Sequence, residues 1–236
     1  MNATLFITQR ELSNYFNSLT AYIVVILFLL ITGGMFWIDF FQGFPELSLR
    51  KFFSDAPLFL AFFAPAITMG LVAEEKRSGT LELMMTMPVS DTQIVLGKFL
   101  AAVVLLVVTF LFTFPYALSL STMGKLDWGP VIGGYAGLIL LGSAYASVGI
   151  MVSAWTKDQI VSILLGFFIC FLLFIIDRLM GNASGTVAVL FEQLSSSHHF
   201  QNIARGVIEL KDVVYYLSVI VICLMTAQAT LASRRW

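Results

Sequence analysis

The chain is predicted to be an all-α, polytopic membrane protein with six transmembrane helices. Its composition is too apolar for water, its apolar residues gather into stretches of membrane-spanning length, and those stretches lack strand-like alternation. Of 236 residues, 59% are hydrophobic and 11% charged, and the mean hydropathy is +0.92. A soluble domain carries about 25% charged residues, so lipid must solvate much of this surface. A bilayer core about 30 Å thick needs about 20 helical residues. Six stretches meet that length: Leu19 to Ile38, Pro57 to Ala73, Ile94 to Leu120, Val131 to Trp155, Ile160 to Ile176 and Val213 to Ala232. Backbone groups in hydrocarbon find no water, so each stretch must satisfy its own hydrogen bonds as a helix, and the alternating runs of about ten residues that mark a membrane β-barrel are missing.

Ahead of the first span, Leu12, Tyr15, Phe16 and Leu19 recur at helical spacing with Gln9, Arg10, Ser13, Asn14 and Asn17 opposite. This predicts an amphipathic helix over residues 1–18, lying on the membrane surface. The first span is longer than a signal-peptide core of about 7–15 residues and reads as retained. Pro65 and Pro115 are expected to interrupt the ladders of the second and third spans.

Residues 74–93 link those spans. Glu74 to Arg77 is expected to end the second span in water. Gly79 to Met87 (Gly79, Thr80, Leu81, Glu82, Leu83, Met84, Met85, Thr86, Met87) has room for about two helical turns, with Leu81, Met84 and Met85 on one side and Glu82 on another. Pro88 ends it. Ser90 and Gln93 then form a capping box, with Asp91 in the first turn of the third span. A short helix bearing flexible methionines across two span ends suits docking into a cleft on a soluble partner. In the fourth span, Gly133, Gly137, Gly142, Ala146 and Gly149 allow close backbone approach, as a packing seam or a subunit interface.

Several function classes are disfavoured. A net charge of −1, without runs of like charge, argues against nucleic acid as a partner. Cys170 and Cys223 lie inside apolar runs and read as small buried hydrophobes. No G-x-x-x-x-G-K-[ST] occurs, because Gly97-Lys98 is followed by Phe99 and Gly124-Lys125 by Leu126. No catalytic, cofactor-binding or metal-binding residues are assigned. His198-His199 reads as packing, since adjacent residues rarely face one ion. Asp177-Arg178 reads as an interfacial ion pair, and Lys98, one turn into the third span, is expected to snorkel to the interface. With no ionisable group near the midplane, ion-coupled transport is disfavoured. An uncoupled channel and a structural anchor for an envelope or periplasmic assembly remain alternatives, although an anchor needs no docking helix between spans.

The run Glu74-Glu75-Lys76-Arg77-Ser78-Gly79-Thr80-Leu81-Glu82-Leu83, followed by Met87-Pro88-Val89-Ser90 and Gly97-Lys98, resembles the coupling-helix region of ABC-2-type permeases. The later His198-His199-Phe200, Arg205-Gly206-Val207-Ile208 and Asp212 to Leu217 resemble one branch, containing the permeases of gliding motility (GldF-like) and of nitrous-oxide-reductase maturation (NosY-like). The resemblance implies one transmembrane domain over residues 1–236. Its parts are an elbow helix (1–18), spans one and two (19–73), a cytoplasmic coupling helix (74–93), spans three to five (94–176), an external loop (177–212), and span six with a tail (213–236). Short re-entrant helices are expected in Val187 to Leu194 and Phe200 to Leu210. The implied partners are a separate ABC ATPase, a second permease chain, identical or related, and a possible periplasmic accessory protein. Gly79 to Met87 would dock on the ATPase, joined by the turn at Trp155, Lys157 and Asp158. An even span count puts both termini on one side. The Lys and Arg residues divide seven to six between the two sides, and the Arg234-Arg235 and Lys76-Arg77 pairs favour cytoplasmic termini in a bacterial inner membrane.

Overall fold

The computed structural model describes residues 3–41, 49–81, 89–124, 126–179 and 191–233. Its helices are α1 (Ala3–Asn17), α2 (Leu19–Phe41), α3 (Arg50–Thr68), α4 (Gly70–Ser78), α5 (Asp91–Met123), α6 (Trp128–Trp155), α7 (Gln159–Leu179), α8 (Ser196–Ala204) and α9 (Leu210–Ala232). Among the described residues, six segments are long and apolar enough to cross a membrane: Ala21–Ile38, Arg50–Ser78 (α3 with α4), Asp91–Met123, Trp128–Trp155, Gln159–Ile176 and Leu210–Ala232. The chain is therefore a multi-pass membrane protein, with each span near its predicted place.

Helix α6 is the core. Of its 28 residues 18 are buried, and its apolar 18-residue stretch is 78% buried, against 28% for that of α2 and 22% for those of α7 and α9, so these three present their outer faces to lipid. Small residues make this centrality possible. A Cβ on Gly149 would overlap the Thr68 hydroxyl and lie 3.1 Å from the Pro65 Cα, and one on Gly166 would lie 2.9 Å from the Pro65 Cβ. Backbones of α3, α6 and α7 thus meet where only hydrogen fits. Farther along, Gly133 and Gly137 seat α8 through Phe200 and Ile203. Within the chain, the small-residue stripe is a packing seam.

The two prolines behave differently from one another. The α5 helix runs through Pro115, and the second span breaks at Met69, one turn beyond Pro65. A side chain from α6 occupies that break. The Ser153 hydroxyl donates to the Met69 carbonyl (2.8 Å) and accepts from the Val72 and Ala73 amides (3.2 and 3.0 Å). It stands in for an N-cap at the start of α4, and insertion of this kind interrupts a helical ladder.

The predicted capping box is present: Ser90 Oγ accepts from the Gln93 amide, and Gln93 Oε1 accepts from the Ser90 amide. Helix α1 differs from its expected stripe. It buries Ile7, Thr8 and Glu11 and ties the Tyr15 hydroxyl to the Ile67 carbonyl (2.9 Å), while Phe16 and Leu19 are exposed. Of the expected outer helices, α8 starts ahead of Phe200 and ends before Gly206, and residues 187–190 lie outside the described residues.

Candidate functional site

The end of the bundle where α4 stops, α5 begins and α6 turns into α7 carries four of the ion pairs among the described residues. Helix α4 ends on Gly79, whose φ of +75° is left-handed and natural to glycine. Gly79 and Thr80 are exposed, whereas Leu81 is buried in the main core and so anchors the segment. Glu82, Leu83, Met84, Met85 and Met87 lie outside the described residues. Across the same end, Trp155 and Lys157 are exposed, and Asp158 Oδ1 accepts from the Ile160 amide (2.8 Å), capping α7. The Lys76 ammonium donates to the Ala154 carbonyl, fastening the two regions together.

Beneath them lies a cluster that sequence reasoning missed. The Lys98 ammonium is 3.0 Å from a Glu11 carboxylate oxygen and 2.8 Å from one of Glu75, and Arg10 pairs with Glu75 at 3.0 Å and also with Glu11. Lys98 is fully buried and does not snorkel; Glu11 is nearly so, and the more exposed Arg10 and Glu75 close the cluster at its rim. Nor does the 74–77 run lie wholly in water, since Lys76 is buried and Glu75 half-buried. Two cations and two carboxylates neutralise one another, which makes burial tolerable. Burial alone would raise the Glu11 carboxyl, but the Lys98 ammonium and the bonds from Arg10 and Lys98 outweigh it and hold Glu11 below the usual carboxylate range. Burial likewise works against the Arg10 charge, and Glu11 and Glu75 more than compensate, raising it.

Gly97 explains how Lys98 reaches Glu11. A Cβ there would stand 2.7 Å from Ile7 Cγ2 and 3.1 Å from the Thr4 carbonyl, while Thr8 Oγ1 donates to the Gly97 carbonyl (3.2 Å). The Gly97-Lys98 pair is thus a close-contact site followed by a counter-ion. The signal was available, because an ionisable residue inside a span calls for a partner, and Glu11 stands alone among uncharged residues on its side of Arg10.

At the opposite end, His199 Nδ1 is 2.6 Å from Asp212 Oδ1, and its Nε2 donates to the Gln193 carbonyl (3.0 Å). The ring stacks on Tyr215 at 4.2 Å, and the Tyr216 hydroxyl donates to the Ser196 carbonyl. Both ring nitrogens are committed: Nδ1 fastens α8 onto α9, and Nε2 ties it to the segment ahead of α8. The side chains of Asp177 and Arg178 lie outside the described residues.

Two connected assemblies emerge at the α1 end: an exposed pair of segments, 79–80 and 155–158, and an ion cluster joining α1, α4 and α5 directly below. The sequence model of one family, described as ABC-2 family transporter protein, matches residues 49–229. A comparison with curated proteins finds no match.

Proposed function

Because the chain belongs to the ABC-2 family of transporter proteins, as a membrane-spanning permease, we propose that it takes work from a separate ABC ATPase through residues 79–87 and 155–158. The observation carrying this reading is that the 75–81 end of the second span is tied to two other spans. Glu75 pairs with Lys98 of α5, and Lys76 donates to the Ala154 carbonyl in the last turn of α6. A push on this end therefore tilts α4, α5 and α6 together. In a loose loop it would dissipate.

Gly79, Thr80, Trp155 and Lys157 present the contact surface, with Glu82, Leu83, Met84, Met85 and Met87 continuing it; Leu81 holds the segment to the bundle and Asp158 holds the turn. The docking end is cytoplasmic, as are both termini, in a bacterial inner membrane. A second permease chain, identical or related, completes a dimer, and the motif blocks favour the gliding-motility and nitrous-oxide-reductase-maturation branch. ATP-driven closure of the ATPases switches the dimer between states, exporting a substrate or transmitting movement to a periplasmic accessory protein.

The test is photo-cross-linking in the intact complex, with reactive side chains at Thr80, Lys157 and, as control, Val207 at the opposite end. Cross-links to one ATPase from the first two positions and none from the third are expected. Cross-links from Val207 alone would reject the docking surface.

A further inference from the structure

The hydrogen bonds of His199 fix how many protons it shares with Asp212. A carbonyl oxygen only accepts, so Nε2, 3.0 Å from the Gln193 carbonyl, carries a hydrogen. The other ring nitrogen, Nδ1, lies 2.6 Å from Asp212 Oδ1. A neutral imidazole with its hydrogen on Nε2 has a bare lone pair at Nδ1, and a carboxylate oxygen also offers only lone pairs. Contact at that distance needs a second hydrogen between the two atoms, in a short, charge-assisted bond. Turning the ring over would set carbon atoms against both acceptors and lose both bonds. Asp212 stands in the first turn of the 23-residue α9, where the helix dipole favours an ionised carboxylate, and this leaves the proton on the ring. The folded pair is then an imidazolium beside a carboxylate, without net charge.

The surroundings offer that proton no substitute. Asp212 is fully buried, His199 is nearly so, and Asp212 Oδ2 has no hydrogen-bond partner among the described residues. Among those residues His199 is also the one cation within ion-pair reach of Asp212. The exposed Lys211 pairs with Glu209 at 2.6 Å, and Lys51 of α3 pairs with Asp55 at 3.6 Å. Glu192 ahead of α8 and Arg205 beyond it are exposed, and the α7 residues of this end, Asp177 and Arg178, have side chains outside the described residues. The other titratable groups are His198, edge-on to His199 at 5.8 Å, Tyr215 and Tyr216 of α9, and Tyr145 of α6, whose hydroxyl bonds Ser196 Oγ at 2.6 Å. Without the shared proton a buried carboxylate would face a lone pair, the costly state of a broken buried pair. The lost bond is the one that joins α8 to α9 through these two side chains. We propose that His199 and Asp212 form a buried proton-binding site that latches α8 to α9, closed with one proton bound and opened by its release as pH rises.

A detached α8 exposes an ordinary imidazole, which is uncharged above about pH 6.5. The latched pair holds its proton, so opening releases one proton and becomes up to about tenfold easier per pH unit above that value. Amide hydrogen exchange of the purified full chain in detergent tests this, read by mass spectrometry on peptides covering α8 at about pH 7 and about pH 9. Asp212→Asn is the reference at each pH, because its side-chain amide can donate to Nδ1 of a neutral ring and so keeps the bond without the extra proton. The ratio of parent to variant cancels the intrinsic rise of exchange with pH. That ratio is expected to rise at least about tenfold between the two pH values, and His198→Gln should behave as the parent does. A ratio that stays constant, or a rise that disappears in His198→Gln, would overturn the proposal. If Asp212→Asn does not fold, a synthetic peptide of residues 196–204 replaces it as the reference, with the same two outcomes. None of these readouts involves an ATPase, so this result and the docking result stand or fall separately.

Discussion

Replacing Lys98 with methionine keeps roughly the length of the side chain and removes one charge from a cluster that sums to zero. The ammonium is fully buried, 3.0 Å from Glu11 and 2.8 Å from Glu75. Its loss leaves two carboxylates sharing Arg10 alone. Removing one partner of a buried ion pair costs about 3–5 kcal/mol, and the partial exposure of Glu75 and Arg10 places this case near the lower figure. For a chain of this size about 3 kcal/mol corresponds to a fall in Tm of roughly 6–12 °C. Glu11→Gln leaves the opposite excess and should cost a similar amount. The double variant Lys98→Met with Glu11→Gln is neutral again and retains the Arg10–Glu75 pair at 3.0 Å, so its cost should fall short of the sum of the two by about 1–3 kcal/mol. Melting curves of the four proteins in one detergent measure this coupling. Single variants within about 0.5 kcal/mol of the parent, with additive effects, would mean that Lys98 reaches water and that no buried cluster joins α1 to α5.

Three further outcomes follow from the same geometry. Ser153→Ala strands two α4 amides and the Met69 carbonyl in a buried break, so it should lower stability by about 1–3 kcal/mol despite losing one oxygen atom; a neutral result in the same melting assay would contradict the trans cap. Gly149→Ala forces α6 off α3 at the Thr68 and Pro65 contact and should cost about 1–3 kcal/mol, whereas Gly34→Ala, with open space around it, should not, and equal melting temperatures would refute the close approach. Acid should loosen α1: the folded Glu11 carboxyl lies below its unfolded value, so its contribution is complete above the ordinary carboxylate range near about 4.3 and is lost as pH falls below it. The parent should therefore lose more stability than Glu11→Gln on acidification from pH 5 to about pH 3, and parallel curves would refute the assignment.

Hydropathy made the spans legible, because a bilayer sets a length that apolar stretches either meet or miss. The capping box was equally readable, since Ser90 and Gln93 act within one turn. What escaped were contacts between residues distant in sequence. Ser153 bonds into the break of the second span from another helix, so Pro65 marked the region of the break but not the side chain that fills it. Lys98 looked like a snorkelling side chain because its partners are on α1 and α4, and Leu81 looked like part of a docking face although it faces the bundle. The stripe of glycines in α6 was visible as a seam, but which helices enter it depends on the three-dimensional placement of α3, α7 and α8.

The central proposal is that residues 79–87 and 155–158 receive the work of ATP hydrolysis carried out in another chain. The most direct measurement is ATP turnover by the permease complex purified with its ATPase and reconstituted in lipid vesicles, comparing the parent with a variant carrying Thr80→Arg and Lys157→Glu. The permease alone should hydrolyse no ATP, and the variant should lose both retention of the ATPase and the permease-dependent part of its turnover. Full retention and unchanged, permease-dependent turnover in the variant would contradict the account.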